Sequence, residues 1–343
     1  MRREISMMLR WIAILLCTVS AAVAQTGTLV VVNQKQHAVD LVDPVSGKLM
    51  AAVSVGVNGH EIALSKDTRT AYVPIYSNTG VGKPGTNGHE IDVIDLPQAK
   101  VLKIIDLGHA VRPHKVLMAP NGLLYVTAEL DHAIDIVDPV KGVVVGQIPT
   151  GAETSHMLAV SRDWRRGYTA NVWAGSVSVL DMPGRKLIKI IPLTKRVQRI
   201  VLSNDGRWVF TSDWDRPRVA VIDTKTDALK QWIPVSGVPY VTQPTPDGKW
   251  LVVSGTKADG KGFLDVVDLK TLSVVRTIPT DAQVASFLVH DGLLYGSCFK
   301  TGPIEVLDIH SPNPQRWTMG KPIVLAPGVD GMAWTMAKLD LGK

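Results

Sequence analysis

One phrase of residues recurs along almost the whole chain. Val39–Lys48 reads VDLVDPVSGK, Ile134–Gly142 reads IDIVDPVKG and Val177–Lys186 reads VSVLDMPGRK. Val219–Thr226 (VAVIDTKT) and Asp265–Thr271 (DVVDLKT) repeat it again. A period of about 40–45 residues with four short strands per unit is the signature of a β-propeller.

The strands of each unit are termed A to D, from the central axis outward. The B strands read most clearly: Thr28–Gln34, Thr70–Ser77, Leu123–Glu129, Gly167–Trp173, Arg207–Trp214, Lys249–Thr256 and Leu293–Lys300. Several follow turns such as Asn121-Gly122, Asp205-Gly206, Asp247-Gly248 and Asp291-Gly292, which supply the positive-φ residue a tight hairpin needs. The A strands precede these turns, from His60, His114, His156, Gln198, Tyr240 and Val284 onward. Seven B strands against six A strands leave one A strand missing. Gly328–Ala333 (GVDGMA) aligns with Gly56–Glu61 (GVNGHE), so a last strand near Met332–Lys338 completes the N-terminal unit. The expected fold is all-β: a seven-bladed propeller of four-stranded antiparallel blades, its ring closed by the C-terminal strand pairing with the N-terminal blade.

Leu123–Glu129 (LLYVTAE), Arg166–Val172 (RGYTANV), Val221–Thr224 (VIDT) and Pro244–Gly248 (PTPDG) carry a resemblance. With the B–C–D–A strand order, they resemble the YVTN-repeat propellers of the exported, YncE-like bacterial type. The resemblance covers the whole mature chain and implies the fold. It assigns no activity, because the same architecture serves lactonase-type propellers, virginiamycin B lyase, amine dehydrogenase heavy subunits and nitrous oxide reductase.

The N-terminus reads as a targeting segment. Arg2, Arg3 and Arg10 form a basic region, Trp11–Val19 an apolar one, and Ala22-Val23-Ala24 a small-x-small cleavage site. Residues 1–24 are thus expected to be a signal peptide and 25–343 the propeller domain, periplasmic or secreted after cleavage near Ala24. No later apolar run reaches the length of about 20 residues that a membrane span requires. Cleavage removes three Arg and one Glu, lowering the formal charge from +6 to +4. The charges are dispersed, so no nucleic-acid footprint stands out. Only Cys298 survives processing, so no internal disulfide forms. The chain is expected to be a monomer.

The D–A and B–C loops share one face, and the unusual residues fall there. His60, His114, His156, Gln198 and Tyr240 each open an A strand, and the GVDGMA alignment adds Met332. Positions 114, 156, 198 and 240 are 42 residues apart, so these side chains should ring one end of the channel. Three imidazoles and a thioether suit a divalent metal or copper, with His60, His114 and His156 as ligands. The competing reading is ordinary packing at a repeat position. Glu61, Lys115 and Arg199 follow ring residues, and strand alternation turns them into blade-to-blade contacts.

Ser77–His89 is the longest B–C loop, with four Gly and one Pro, and long loops on repeat scaffolds tend to carry function. His89, Glu90 and Arg112 border it. Trp173 and Trp214 stand at matching strand ends, as aromatic platforms or as packing. Two function classes follow, ahead of a third, redox one (a quinoprotein or copper site, or a partner subunit of an oxidase). One is a scaffold with a His-lined funnel on this face for a small molecule or partner protein. The other is a lactonase- or lyase-type enzyme, metal-assisted or not. It would use His60, His114 or His156 with Glu61 as acid–base groups and Arg112 or Arg199 for an oxyanion. No nucleophile elbow and no haem motif C-x-x-C-H is present.

Overall fold

A computed structural model of the chain describes residues 27–342. The signal-peptide expectation lies outside these residues. Seven four-stranded antiparallel sheets stand around a central channel. Within each sheet the strands follow sequence order, except in the first blade. There the innermost strand is Val329–Thr335, beside Thr28–Asn33, Ala38–Val42 and Leu49–Ser54. Leu29 pairs with Trp334 and Val30 with Ala333, so the last strand closes the ring on the first.

Local chemistry explains the repeat. The Asp that ends each C strand caps the following turn with its carboxylate. Asp43 accepts from the Val45 and Ser46 N–H groups, Asp138 from Val140 and Lys141, and Asp268 from Lys270. These Asx turns are what the recurrent VD motif encodes. B and C strands are buried on both faces, as in Thr28–Asn33 and Ser176–Asp181. Apolar clusters from facing blades fill the gaps; Val30, Leu41, Val73 and Ile94, for example, pack blade 1 on blade 2. Outer strands alternate, as in Val143–Pro149.

The inner strands start with a β-bulge except in the seventh blade, where Ser286–His290 pairs without a slip. Pairing slips between Pro113 and Val116, between Ser155 and Met157, between Gln198 and Ile200, and between Pro239 and Thr242. The first blade slips between Val329 and Met332. A bulge breaks the in–out alternation of a strand and re-aims side chains. Two successive residues of each bulged strand therefore turn inward, and two rings are stacked where the sequence suggested one.

The register also corrects the GVDGMA alignment by two residues. Met157 pairs with Ala170 and Ser155 with Asn171; in blade 1, Met332 pairs with Val31 and Val329 with Asn33. The position of His156 is thus held by Asp330. Met332 sits two residues further down the strand, near Trp334 and Tyr295.

Candidate functional site

The upper ring holds Asp330, His60, His114, His156, Gln198 and Tyr240, from blades 1 to 6. The imidazoles do meet. The His60 and His114 ring centroids lie 4.5 Å apart and those of His114 and His156 3.5 Å apart. The rings are tilted to one another by 48° and 33°, and His114 Nε2 lies within hydrogen-bond reach of His60 Nδ1, at 3.1 Å. Among the described residues, no group of three or more His, Cys, Asp or Glu is placed to hold a metal ion. In place of the expected His60–His114–His156 metal geometry, the rings pack and hydrogen-bond on one another, and Met332 is not part of the cluster.

Two of the three rings have a carboxylate of their own, and His114 has none. His156 Nδ1 bonds Glu129, whose other oxygen accepts from the Tyr76 hydroxyl at 2.6 Å. Burial, then the Glu129 charge, keeps the Tyr76 phenol protonated far above its ordinary range. Asp330 stands 3.3 Å from His60 Nδ1, and the Gln34 amide nitrogen lies 2.6 Å from Asp330 and 2.9 Å from His60 Nδ1. An amide N–H can only donate, so His60 Nδ1 accepts and its proton sits on Nε2. That Nε2 is buried without a partner, as is His114 Nδ1. Burial first, then the neighbouring imidazoles, holds His114 well below the ordinary histidine range, so it is neutral.

The lower ring holds Glu61, Lys115, Met157 and Arg199. Lys115 Nζ lies 2.7 Å from Glu61 Oε2. Arg199 reaches across the channel from blade 5, bonding Glu61 of blade 2 and, at 3.0 Å, Asp330 of blade 1. Blade-to-blade pairing was expected for these three. Lys115–Glu61 is such a pair, but Arg199 spans the channel instead, because the bulge points it inward (φ 40°). Burial would raise the Glu61 carboxyl, but the Lys115 and Arg199 charges outweigh it and hold Glu61 well below the usual range. The network plugs the channel.

Above the plug, the Ser77–His89 loop is strapped across the histidine end. Asn58 Nδ2 donates to the Ser77 and Thr79 carbonyls. Arg112 donates to Asn87 Oδ1 at 2.6 Å and to the Lys83 carbonyl at 2.7 Å. Trp173 Nε1 reaches the Val81 carbonyl at 3.0 Å. Gly82 (φ 66°) is required there, since a Cβ would lie 2.2 Å from the Trp173 Nε1. Arg112 is therefore a loop clamp. Trp173 and Trp214 flank the Arg196 guanidinium at 5.2 and 4.9 Å, and Arg196 pairs with Asp215. His89 and Glu90 lie outside the rings, His89 pairing with Asp106 on the outer strand.

Below the plug the channel is open. A cavity of about 1070 Å³ runs from Glu61, Lys115 and Arg199 to the A–B turns around Asp163, Asp205 and Pro246. Its walls mix apolar side chains, among them Leu117, Ile200, Val241 and Phe287, with polar ones such as Gln243, Ser203 and Asn204. The cavity thus opens on the face opposite to the expected funnel. Bulky His, Gln, Arg and Tyr side chains close one end of the channel; small residues such as Ala159 and Ser161 leave the other open.

Sequence reasoning missed Asp330, Gln34, Tyr76 and Glu129. The last three share one column, the residue just after strand B in blades 1, 2 and 3. Polar or phenolic residues there were the available signal.

The fold and site define a seven-bladed propeller with an ion-paired plug and a one-sided chamber. No protein-family model matches the chain. It is similar to dihydro-heme d1 dehydrogenase of Pseudomonas aeruginosa, 27% identical over 311 residues, covering 86% of this chain and 61% of that enzyme. The chain thus spans less than two thirds of that relative. Among solved structures, the periplasmic gluconolactonase of Pseudomonas aeruginosa gives a TM-score of 0.68 at 15% identity, covering 90% of this chain and 99% of that one. Hydrazine synthase of Kuenenia stuttgartiensis gives 0.66 at 20% identity, covering 86% and 92%. Likeness at these structural identities establishes the fold alone.

Proposed function

We propose that the protein is an exported ligand-binding propeller that takes a small molecule into the channel chamber from the Asp-Gly turn face. One observation carries this reading: the concave cavity of about 1070 Å³ has walls of mixed apolar and polar side chains above a charged floor at Glu61, Lys115 and Arg199. Ligand sites are concave and combine apolar surface with fixed polar groups. Export rests on the N-terminal leader and agrees with the periplasmic gluconolactonase of like fold. No helix among the described residues is long and apolar enough to cross a membrane.

The test is ligand recovery. Protein purified without denaturation is extracted, and the bound small molecules are identified by mass spectrometry. Ala159→Trp and, separately, Val201→Phe narrow the chamber. Loss of the ligand in variants with unchanged melting supports the reading, and retention in both contradicts it.

A second reading, ester or lactone hydrolysis, is favoured by one observation. Gln34, itself bonded to Asp330, donates to His60 Nδ1 and leaves the Nε2–H unpaired. A fixed, unpaired donor of that kind can polarise an ester carbonyl, though here under the strap. Lactone hydrolysis that disappears in His60→Gln and rises when the strap is shortened would support this second reading over simple binding.

A further inference from the structure

The rim of the propeller is apolar on one side only. The outer strands of blades 2, 3 and 4 are Lys100–Asp106, Val143–Pro149 and Lys186–Pro192. They expose Leu102, Ile104, Val143, Val145, Ile188 and Ile190, with Leu102 at 51% and Ile104 at 57%. The outer strands of blades 5, 6 and 7 expose one large apolar side chain among the described residues, Val275. The mid-strand lysines of the apolar side are folded away. Lys103 Nζ donates to the Pro139 and Val140 carbonyls at 2.7 and 3.0 Å, and Lys189 Nζ to the Asp227 carbonyl at 2.9 Å. Apolar surface spread over neighbouring elements marks a contact surface.

The same strands end their sheets, so their outer edges carry unpaired N–H and C=O groups. In blades 3, 4 and 5 a proline blunts that edge. Thr150, Leu193 and Val235 donate inward, to the His132, Gly175 and Pro217 carbonyls. The residue before each, Pro149, Pro192 or Pro234, therefore faces outward, where an N–H would stand. Pro279 holds the matching place in blade 6, and the outer strand of blade 7 is only Thr318–Met319. In blade 2, Leu107 donates inward to His89, and the outward residue is Asp106, which keeps its N–H. Blade 1 also lacks the proline, but its outer strand exposes a single large apolar side chain, Leu49. The six full outer strands all share a bulge against strand C, so the proline is what distinguishes them.

We propose that two copies of the protein form a two-fold dimer, the outer strand of blade 2 pairing antiparallel with its counterpart, where the sequence alone suggested a monomer. The open edge selects the occupant. A lipid surface covers aliphatic side chains but offers nothing to unpaired N–H and C=O groups, whereas an identical strand supplies both partners. The charges agree, because antiparallel pairing brings Lys100 of each copy toward Asp106 of the other. A two-fold axis normal to the joined sheet keeps blade 3 of both copies on the same side, so Val143 and Val145 face their counterparts.

Sedimentation of the folded protein from micromolar to millimolar concentration tests the contact. Wild type should sediment as a dimer. Asp106→Pro supplies the proline of the other blades without loss of an internal hydrogen bond. It should fold and weaken the dimer at least about tenfold, since the two-fold axis removes the bond twice. Asp106→Ala keeps the N–H and should weaken it less. Ile104→Lys sets like charges against each other and should leave a monomer, while Val275→Lys on blade 6 should change nothing. Circular dichroism identifies the folded variants, and because Asp106→Pro and Ile104→Lys alter different groups, either one decides the matter. A wild type that stays monomeric at millimolar concentration overturns the proposal. A dimer untouched by both variants lies elsewhere and also overturns it. A monomer that floats with phosphatidylethanolamine–phosphatidylglycerol vesicles, and no longer does so as Ile104→Lys, assigns the rim to lipid and overturns it too.

Discussion

The two ends of the central channel are built from the same seven inner strands, yet one is sealed and the other open. At the sealed end, bulged strand starts present Asp330, His60, His114, His156, Gln198 and Tyr240, and the Ser77–His89 loop is fastened over them by Arg112 and Trp173. At the open end, strand ends and Asp-Gly turns present short side chains around a cavity. Between them lies Arg199, held by two carboxylates from the opposite blades. The contrast teaches that chemically conspicuous residues need not mark the accessible site. In this molecule they are spent on holding one end shut.

Several measurements bear on that contrast. The largest effect is expected at the divider. Arg199→Met leaves Glu61 and Asp330 buried without their shared cation, and breaking a buried pair costs about 3–5 kcal/mol. Urea unfolding should show a loss of that size, and a loss below about 1 kcal/mol would mean that the plug is not structural.

The strap comes next. Gly82→Ala forces a Cβ into the Trp173 indole at a positive φ, a local strain of about 1–3 kcal/mol. Hydrogen exchange should accelerate in residues 77–89 and nowhere else, and Trp173 fluorescence should shift to the red. Unchanged exchange would mean that the loop is not held through Trp173.

Acidification gives a smaller, signed effect. His114 titrates well below its ordinary value in the fold, so the unfolded chain binds the extra proton. Its contribution is complete above about pH 6.5 and declines below it, by up to about 1.4 kcal/mol per pH unit. Asp135 acts in the opposite sense. Burial pushes its carboxyl up to about 6, so its contribution falls as pH rises from 3.8 to about 6. The His114 effect is therefore read as the difference between wild type and His114→Asn. That difference should shrink as pH falls from 6.5 to 5; a constant difference would contradict a neutral, desolvated ring.

The fold was legible because its signal is repeated. Asp turns, Asp-Gly hairpins and β-branched strands recur in nearly every blade, so an error in one unit is corrected by the others. The site was legible only in part. His60, His114 and His156 were placed in one ring, because equal spacing on a repeat means equal orientation. The bulge was not legible, since nothing in Gln198-Arg199 announces an extra residue in the pairing, and strand alternation then misdirected Arg199. The two-residue slip that substituted Met332 for Asp330 arose from matching glycines, whereas the ladder is set by pairing to Val31 and Asn33. The reach of residues 77–89 to Trp173 depends on contacts across two blades and had no local sign.

The most direct test of a one-sided channel is thiol accessibility in a Cys298→Ser background. Val160→Cys lies in the chamber wall and Gln198→Cys in the sealed ring. With a bulky maleimide reagent on the folded protein, Val160→Cys should label rapidly and Gln198→Cys should stay unlabelled until the 77–89 loop is shortened. Fast labelling of Gln198→Cys with the loop intact, and slow labelling of Val160→Cys, would place the open mouth at the histidine end and contradict the account.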